Sequence, residues 1–299
     1  MADAPERDPR RGDAGWRAFV VCGPTAGGKS GLADDLADAV SENLGVRVPT
    51  IVVDSVQVYA GLAGISNQGR RRPAELVGVV PVTERWTVAR HRRAAESVIS
   101  ASGPAFVLDA GTGMYLNALL LDIPLAPPVA EDVRAKAERE SAADPNPRRS
   151  TRQRELEMVD ARERGSIWDG DLRYPTRLLY VRPPRPRLDR AIALRSAKIA
   201  RVGLEEAVVI RDMLRAGENV NPSVLEAVGV RELLDHLSGR LSLPEAEDRI
   251  STRTRQLARR QIRWFDKLTR TLQGRAAISV VEDPTTPDLL HTMHDTIGL

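Results

Sequence analysis

The stretch Trp16–Ser30, WRAFVVCGPTAGGKS, decides the fold. Trp16 to Cys22 is a short, continuous apolar run, the pattern of a parallel strand covered on both faces. A glycine-rich turn follows, and then GLADDLADAVSENLG carries apolar positions at helical spacing. Between predicted strand and predicted helix, Gly23 to Ser30 matches G-x-x-x-x-G-K-[ST]. An ordinary Gly-rich turn is the competing reading, but both flanks match a phosphate-binding loop. Gly23, Thr25, Ala26, Gly27 and Gly28 are then expected to turn backbone N–H groups toward phosphate oxygens, helped by the N-terminal dipole of the helix. Lys29 is expected to bring a point charge to a diphosphate, and the Ser30 hydroxyl to help hold Mg²⁺.

Outward from this loop, Pro49 to Val53 (PTIVV) ends at Asp54, and Ala105 to Leu108 (AFVL) ends at Asp109. Thr87 to Ala101 between them reads as a helix, Arg177 to Val181 as a further strand, and Ala277 to Val281 as a last edge strand. Helical periodicity fills 188–215 and 222–272, broken at Gly203, Gly217, Asn221-Pro222 and Gly239. Strands alternating with helices predict an α/β fold: a P-loop NTPase-like parallel sheet with flanking helices. From 130 to 173 the sequence becomes charged and poor in aliphatics, which predicts a small inserted helical segment. The expected organisation is a charged, disordered tail over 1–14, a core built from 15–129 and 174–299, and the insert at 130–173.

The 299 residues, 42% of them hydrophobic, suffice for a full core. A net charge of +3 does not by itself call for a nucleic-acid partner. The single cysteine, Cys22, excludes an intramolecular disulfide and fits a reducing compartment. No signal-peptide pattern and no run of 18 apolar residues occurs, so a soluble, cytoplasmic protein is expected, with no membrane partner. The four histidines (His91, His236, His291, His294) stand at no ligand spacing and receive no metal role.

In a parallel α/β sheet, ligands lie outside the carboxyl ends of the strands. There DSVQVYAG (Asp54–Gly61) offers a carboxylate with Ser55 and Gln57 behind it. DAGTGMYLNALL (Asp109–Leu120) offers a Gly-Thr-Gly turn, expected to bring backbone donors and the Thr112 hydroxyl to the phosphate pocket. An N-cap at Asp54 and a tight turn at Gly111-Thr112-Gly113 are the bland alternatives.

The ordered landmarks GPTAGGKS, DSVQVYAGL, GTGMYLNALL and SLPEAEDRISTRTRQLARRQIRWFDKL (242–268) resemble those of the tRNA dimethylallyltransferase family, which includes the adenylate isopentenyltransferases. The similarity spans about residues 17 to 270. It implies transfer of a dimethylallyl group from dimethylallyl diphosphate to an amine nitrogen, first of all the exocyclic amino group of adenine in tRNA. A free adenine nucleotide or another small amine is the alternative acceptor, and a P-loop small-molecule kinase the remoter one. The resemblance implies that Asp54 is the general base, that Thr112 lies beside the bridging oxygen of the leaving diphosphate, and that Arg195 reaches that diphosphate. Mg²⁺ is the implied cofactor, and the enzyme is expected to act as a monomer.

The chain departs from the family pattern GLDIGTAKP, which here reads GLAGISNQG, with Ala63, Ser66 and Gln68 at the acidic, threonine and lysine positions. A paired-histidine segment is replaced by AELVGVVPV, with Ala74 and Glu75 at the histidine positions. The insert is shorter than in the typical tRNA enzyme, although RELE (Arg154–Glu157) and EAVGVREL (Glu226–Leu233) keep the family's pattern. Arg253, Arg255, Arg259, Arg260, Arg263, Lys267 and Arg270, with Trp264 and Phe265 among them, read either as a solvated face or as a surface for nucleic-acid phosphates and base stacking. Ser55, Gln57, Arg259 and Arg260 are the expected acceptor contacts.

Overall fold

The structure, a computed structural model, describes residues 17–125, 129–144, 147–158 and 166–285. The expected tail over 1–14 lies outside the described residues. Strand β1 (Arg17–Cys22) leads through the glycine loop into α1 (Lys29–Leu44) and then β2 (Thr50–Val53). A short helix α2 (Ala63–Ser66) and helix α3 (Val88–Ala101) precede β3 (Ala105–Ala110), which is followed by α4 (Gly113–Leu120). After α5 (Glu131–Ser141) and α6 (Pro147–Met158) the chain enters β4 (Thr176–Val181). Helices α7 (Arg185–Val202), α8 (Leu204–Arg215), α9 (Pro222–Leu225), α10 (Val230–Leu237) and α11 (Leu243–Leu272) lead to β5 (Ala277–Val281).

The five strands form one sheet in the order β2-β3-β1-β4-β5, every pair parallel. Central β1 is buried from Ala18 onward, which is why it reads as an unbroken apolar run. Strand β3 runs two residues past the expected Leu108. Asp109 therefore stands inside the ladder, in register with Val21 of β1 and Val52 of β2.

On one side of the sheet, Leu32, Leu36 and Val40 of α1 pack with Phe19, Val21, Val107 and Leu179. A second apolar cluster joins Tyr59, Leu62 and Ile65 to Ile199, Ile210, Leu233 and Ile250. It thereby packs the loop after β2 against the C-terminal helices. Side-chain caps set helix starts: Thr87 accepts from the Arg90 N–H, and Ser242 with Glu245 forms a capping box at α11.

Residues 121–171 form a compact unit of their own, in place of the bounds 130 and 173 expected from composition. The Asp122 N–H donates to the Asp171 carbonyl at 2.8 Å, closing the segment. Arg154 donates to Ser141 Oγ at 2.5 Å and to Asp144 at 2.8 Å, joining the turn after α5 to α6.

Candidate active site

The phosphate loop turns on left-handed backbone at Ala26 (φ 61°) and Gly28 (φ 89°). A Cβ at Gly23 would stand 2.3 Å from the Val181 carbonyl oxygen, so only glycine lets the loop leave β1 beside β4. Not every loop amide faces a ligand: Thr25 N–H donates to Gln261 Oε1 at 2.8 Å and Gly27 N–H to the Pro24 carbonyl at 3.2 Å. Among the described residues, the N–H groups of Ala26, Gly28, Lys29 and Ser30 carry no such bond. An anion is thus offered the start of α1 rather than the whole loop.

Lys29 Nζ donates to the Pro24 carbonyl at 2.8 Å. Burial pulls the pKa of its ammonium down; Asp109 and then Asp54 push it back up, while Arg195 opposes them. Burial likewise lowers the Arg195 pKa, against the attraction of Asp54. Two cations from α1 and α7 therefore share the influence of Asp54. Thr25, Ala26, Gly27, Gly28, Lys29 and Ser30 lie together at the start of α1, and the charge of Arg195 reaches Lys29.

The two oxygens of Asp54 have different work. Oδ1 accepts the Val56 N–H at 2.8 Å and the Gln57 N–H at 3.1 Å, an Asx turn that starts the loop after β2. Oδ2 faces Thr112 Oγ1 at 3.4 Å, and a Cβ at Gly111 would stand 2.6 Å from it. Oδ1 is thus spent on the turn, and Oδ2 is left facing Thr112.

The Gly-Thr-Gly turn corrects one expectation. Its backbone donors are not turned to a phosphate: the N–H groups of Gly111 and Thr112 both donate to the Val53 carbonyl, at 3.2 and 3.1 Å, tying the turn to the end of β2. The Thr112 hydroxyl remains beside the site, accepting the Ser55 N–H at 3.1 Å. Gly113 is needed for a different reason, since the Trp264 indole lies 2.2 Å from where its Cβ would be.

Of the expected acceptor contacts, Ser55 and Gln57 join Asp54. Gln57 Oε1 is buried without a hydrogen-bond partner, an acceptor waiting for a donor. Arg259 and Arg260 do not join them. At about 100° per residue of helix, Arg259 points about 160° and Arg260 about 100° away from Gln261, the α11 side chain that meets the loops. With Arg263, Lys267 and Arg270 they form an exposed basic face.

Phe265 is fully buried near Tyr180, and Trp264 donates to Asn117 Oδ1 at 3.1 Å while covering Gly113. The two aromatics are core and packing groups, which corrects the expectation of base stacking. Arg253 leaves the basic face as well: it is paired with Glu232 at 2.5 Å and bonded to the Glu226 carbonyl.

The altered segment 61–80 has become structural. Gln68 Nε2 donates to the carbonyls of Gln57 and Tyr59 and to Ser66 Oγ, holding the loop closed. Where the family pattern has an acid at Ala63, Glu206 of α8 instead accepts the N–H groups of Gly64 and Ile65 at the start of α2. Glu75 uses its backbone to pair with Thr50 and Val52 along β2. His91 is buried beside Trp86, whose indole N–H it accepts at 3.1 Å, and burial lowers its pKa to about 4, so it is neutral near pH 7.

Two residues escaped the sequence reading: Gln261, and Arg70, which bonds Asp34 at 2.7 Å, Asp109 at 2.6 Å and the Ser30 carbonyl at 3.2 Å. With Arg70 on its carboxylate, Asp109 is already engaged, which counts against its use as the acid of a phosphate-cleaving site.

The Gly111 contact yields a prediction. Gly111→Ala should displace the Asp54 carboxylate and lower transfer about 100-fold, the order of loss that a 1 Å misplacement in an active site can bring. Single-turnover rates with the far-ultraviolet circular dichroism unchanged check it.

Comparisons with known proteins bear on this geometry. The family model described as IPP transferase matches residues 57–181 and 141–268. A tRNA dimethylallyltransferase of Rubrobacter xylanophilus is 60% identical over 286 residues, covering 94% of this chain and 98% of that protein. One of Thermobifida fusca is 34% identical, covering 83% of this chain and 86% of that protein. The solved tRNA isopentenylpyrophosphate transferase of Bacillus halodurans superposes with a TM-score of 0.64 at 24% identity, over 95% of each chain. A eukaryotic dimethylallyltransferase solved acting on tRNA gives 0.70 at 20% identity, over 95% of this chain and 80% of that one. The last two show a common fold. Family model and close relatives together establish that the chain belongs to the IPP transferase family and is a prenyltransferase.

Proposed function

We propose that the enzyme transfers a dimethylallyl group from dimethylallyl diphosphate to the exocyclic amino nitrogen of an adenine in tRNA. The observation that carries this reading is the placement of a carboxylate oxygen, Asp54 Oδ2, beside Thr112 in a site that also holds the cations Lys29 and Arg195. The adenine nitrogen attacks the allylic carbon as the carbon–oxygen bond breaks. The bonding pair leaves with the bridging oxygen of the diphosphate, and the nitrogen's proton passes to Asp54 Oδ2. Negative charge on the diphosphate grows toward the transition state. Lys29, Arg195 and the N–H groups at the start of α1 therefore stabilise that state more than the bound substrate. Thr112 would donate its hydroxyl to the bridging oxygen. The orphaned Gln57 Oε1 would accept the second amino hydrogen, and Ser55 would line the acceptor side.

Mg²⁺ fits beside this grip. The Ser30 hydroxyl has no partner among the described residues and stands at the N-terminus of α1, and Mg²⁺ ordinarily keeps water and phosphate oxygens around one such protein ligand. Among the described residues no group of three His, Cys, Asp or Glu side chains is placed to hold a metal without a substrate. When bound, the ion would neutralise diphosphate charge.

Arg259 and Arg260 would meet tRNA phosphates. Among the described residues no helix is long and apolar enough to cross a membrane. A cytoplasmic monomer is part of the same reading, and a lone, buried cysteine fits the reducing compartment.

The test is to incubate the protein and Mg²⁺ with labelled dimethylallyl diphosphate and, separately, unmodified tRNA, AMP and small amines. Label is expected in tRNA; label confined to AMP or a small amine would overturn the acceptor. In the same assay, reversing Arg259 and Arg260 to Glu should lower kcat/KM for tRNA at least tenfold and flatten its salt dependence. Binding of pyrophosphate should be unchanged, and equal losses in both measurements would reject a phosphate-contact role.

A further inference from the structure

Gln261 lies where α11 meets the two loops that carry the proposed chemistry. Its Oε1 accepts the N–H of Thr25 in the phosphate loop, and its Nε2 donates to the carbonyl of Gly111 in the turn after β3, each at 2.8 Å. Only one orientation of the amide satisfies both partners, because a flip would oppose donor to donor and acceptor to acceptor. One turn later, Trp264 fills the space over Gly113 and bonds Asn117 of α4. A single turn of α11 therefore holds the Gly-Thr-Gly turn at both glycines and the phosphate loop at Thr25. The opposite side of the helix is the exposed basic face of Arg259 and Arg263.

We propose that Gln261 is a positioning residue that fixes the separation between the diphosphate grip and the Asp54–Thr112 pair, and ties both to the helix that faces the acceptor. The proposal rests on the function proposed above. The leaving diphosphate is held by the loop after β1, whereas the base stands against the turn after β3. Gln261 is a direct hydrogen-bonded link between those two loops. Transfer requires the nitrogen, the allylic carbon and the bridging oxygen in line, and such geometry must hold to about 0.5 Å. A misplacement of 1 Å costs about 100-fold in rate. Binding of a diphosphate alone uses the start of α1 and Arg195, not the turn after β3, so it does not need the separation that Gln261 fixes.

The test compares wild type, Gln261→Met and Gln261→Glu. Met keeps the length and removes both bonds. Glu can still accept from Thr25 but sets a carboxylate oxygen against the Gly111 carbonyl. Single-turnover transfer to tRNA is measured alongside calorimetric binding of pyrophosphate with Mg²⁺, whose stoichiometry counts competent sites. The expected result is a fall of about 30- to 100-fold in rate per competent site for both variants, with pyrophosphate Kd within about threefold of wild type. A rate per site within twofold of wild type in either variant overturns the proposal, even if fewer sites are competent, since that is a purely structural role. If Gln261→Met does not fold, Gln261→Glu, which preserves size and polarity, decides alone. A wild type that binds pyrophosphate but prenylates no acceptor refutes the proposed function, and this inference with it; a wild type that transfers beside equally active variants refutes only the inference.

Discussion

Asp54→Asn should fold as the wild type does, bind pyrophosphate with Mg²⁺ as tightly, and transfer dimethylallyl about 10²- to 10⁴-fold more slowly, the range that a positioned general base contributes. The substitution separates two duties that alanine would remove together. Asparagine keeps an oxygen that accepts the Val56 and Gln57 N–H groups, so the turn after β2 survives. In place of Oδ2 it puts an amide NH₂, whose nitrogen lone pair is delocalised into the carbonyl and cannot take the proton of the attacking nitrogen. Asp54→Ala should do more harm, because it also frees those two N–H groups and loosens Gln57. Single-turnover transfer and calorimetric pyrophosphate binding, measured on the same preparations, distinguish the cases. Transfer by the asparagine variant within threefold of wild type would remove Asp54 as the base and leave its role in the turn.

The parts of the site that were legible in the sequence are those carried by contiguous residues. The run from Arg17 to Ser30 declares strand, loop and helix because each has its own local pattern, and the same holds for Asp54 at the end of β2. Tertiary partners decide the rest. The carboxylate of Asp54 reads as a cap or as a base, and only the Thr112 hydroxyl and the space at Gly111, both supplied by the turn after β3, separate an oxygen that closes the turn after β2 from one that faces the site. The Gly-Thr-Gly turn looks like a nest of backbone donors until Val53 is seen to take two of them. In the stretch from Arg259 to Phe265, one helix assigns its residues to three surroundings: Arg259 and Arg263 to solvent, Gln261 and Trp264 to the loops, Phe265 to the core. A basic run with aromatics suggests nucleic acid when read as composition. Read as helix faces, only the arginines can meet it.

Arg70 shows the same limit most sharply, and its removal should have the largest effect on stability. It opens the run Arg70-Arg71-Arg72, which in sequence looks like a solvated basic patch. The Arg71 side chain is 57% exposed and pairs with Asp35 and Asp38 on the surface of α1. The Arg70 side chain is 4% exposed, and its two carboxylate partners, Asp34 and Asp109, are each 3% exposed. One guanidinium thus reaches α1, β3 and the Ser30 carbonyl, and the carboxylates that surround it raise its pKa despite the opposing effect of burial. Two buried anions against one cation would be poorly balanced, but Lys29 adds the second positive charge from the phosphate loop. Removing one partner of a buried pair leaves a desolvated, uncompensated charge, which costs about 3–5 kcal/mol, whereas deleting an exposed pair costs little. Arg70→Met should therefore lower the free energy of unfolding by about 3–5 kcal/mol in urea titrations, with the slope unchanged, while Arg71→Met leaves the midpoint nearly where it was. Arg70→Lys should recover only part of the loss, because an ammonium is a point charge and lacks the planar fork that bridges two carboxylates. Equal, small losses at Arg70 and Arg71 would mean that the buried triad contributes no more than a surface pair. A large loss at Arg70 alone would show that the start of α1, where the diphosphate is to be held, is anchored by a residue outside the phosphate-loop motif.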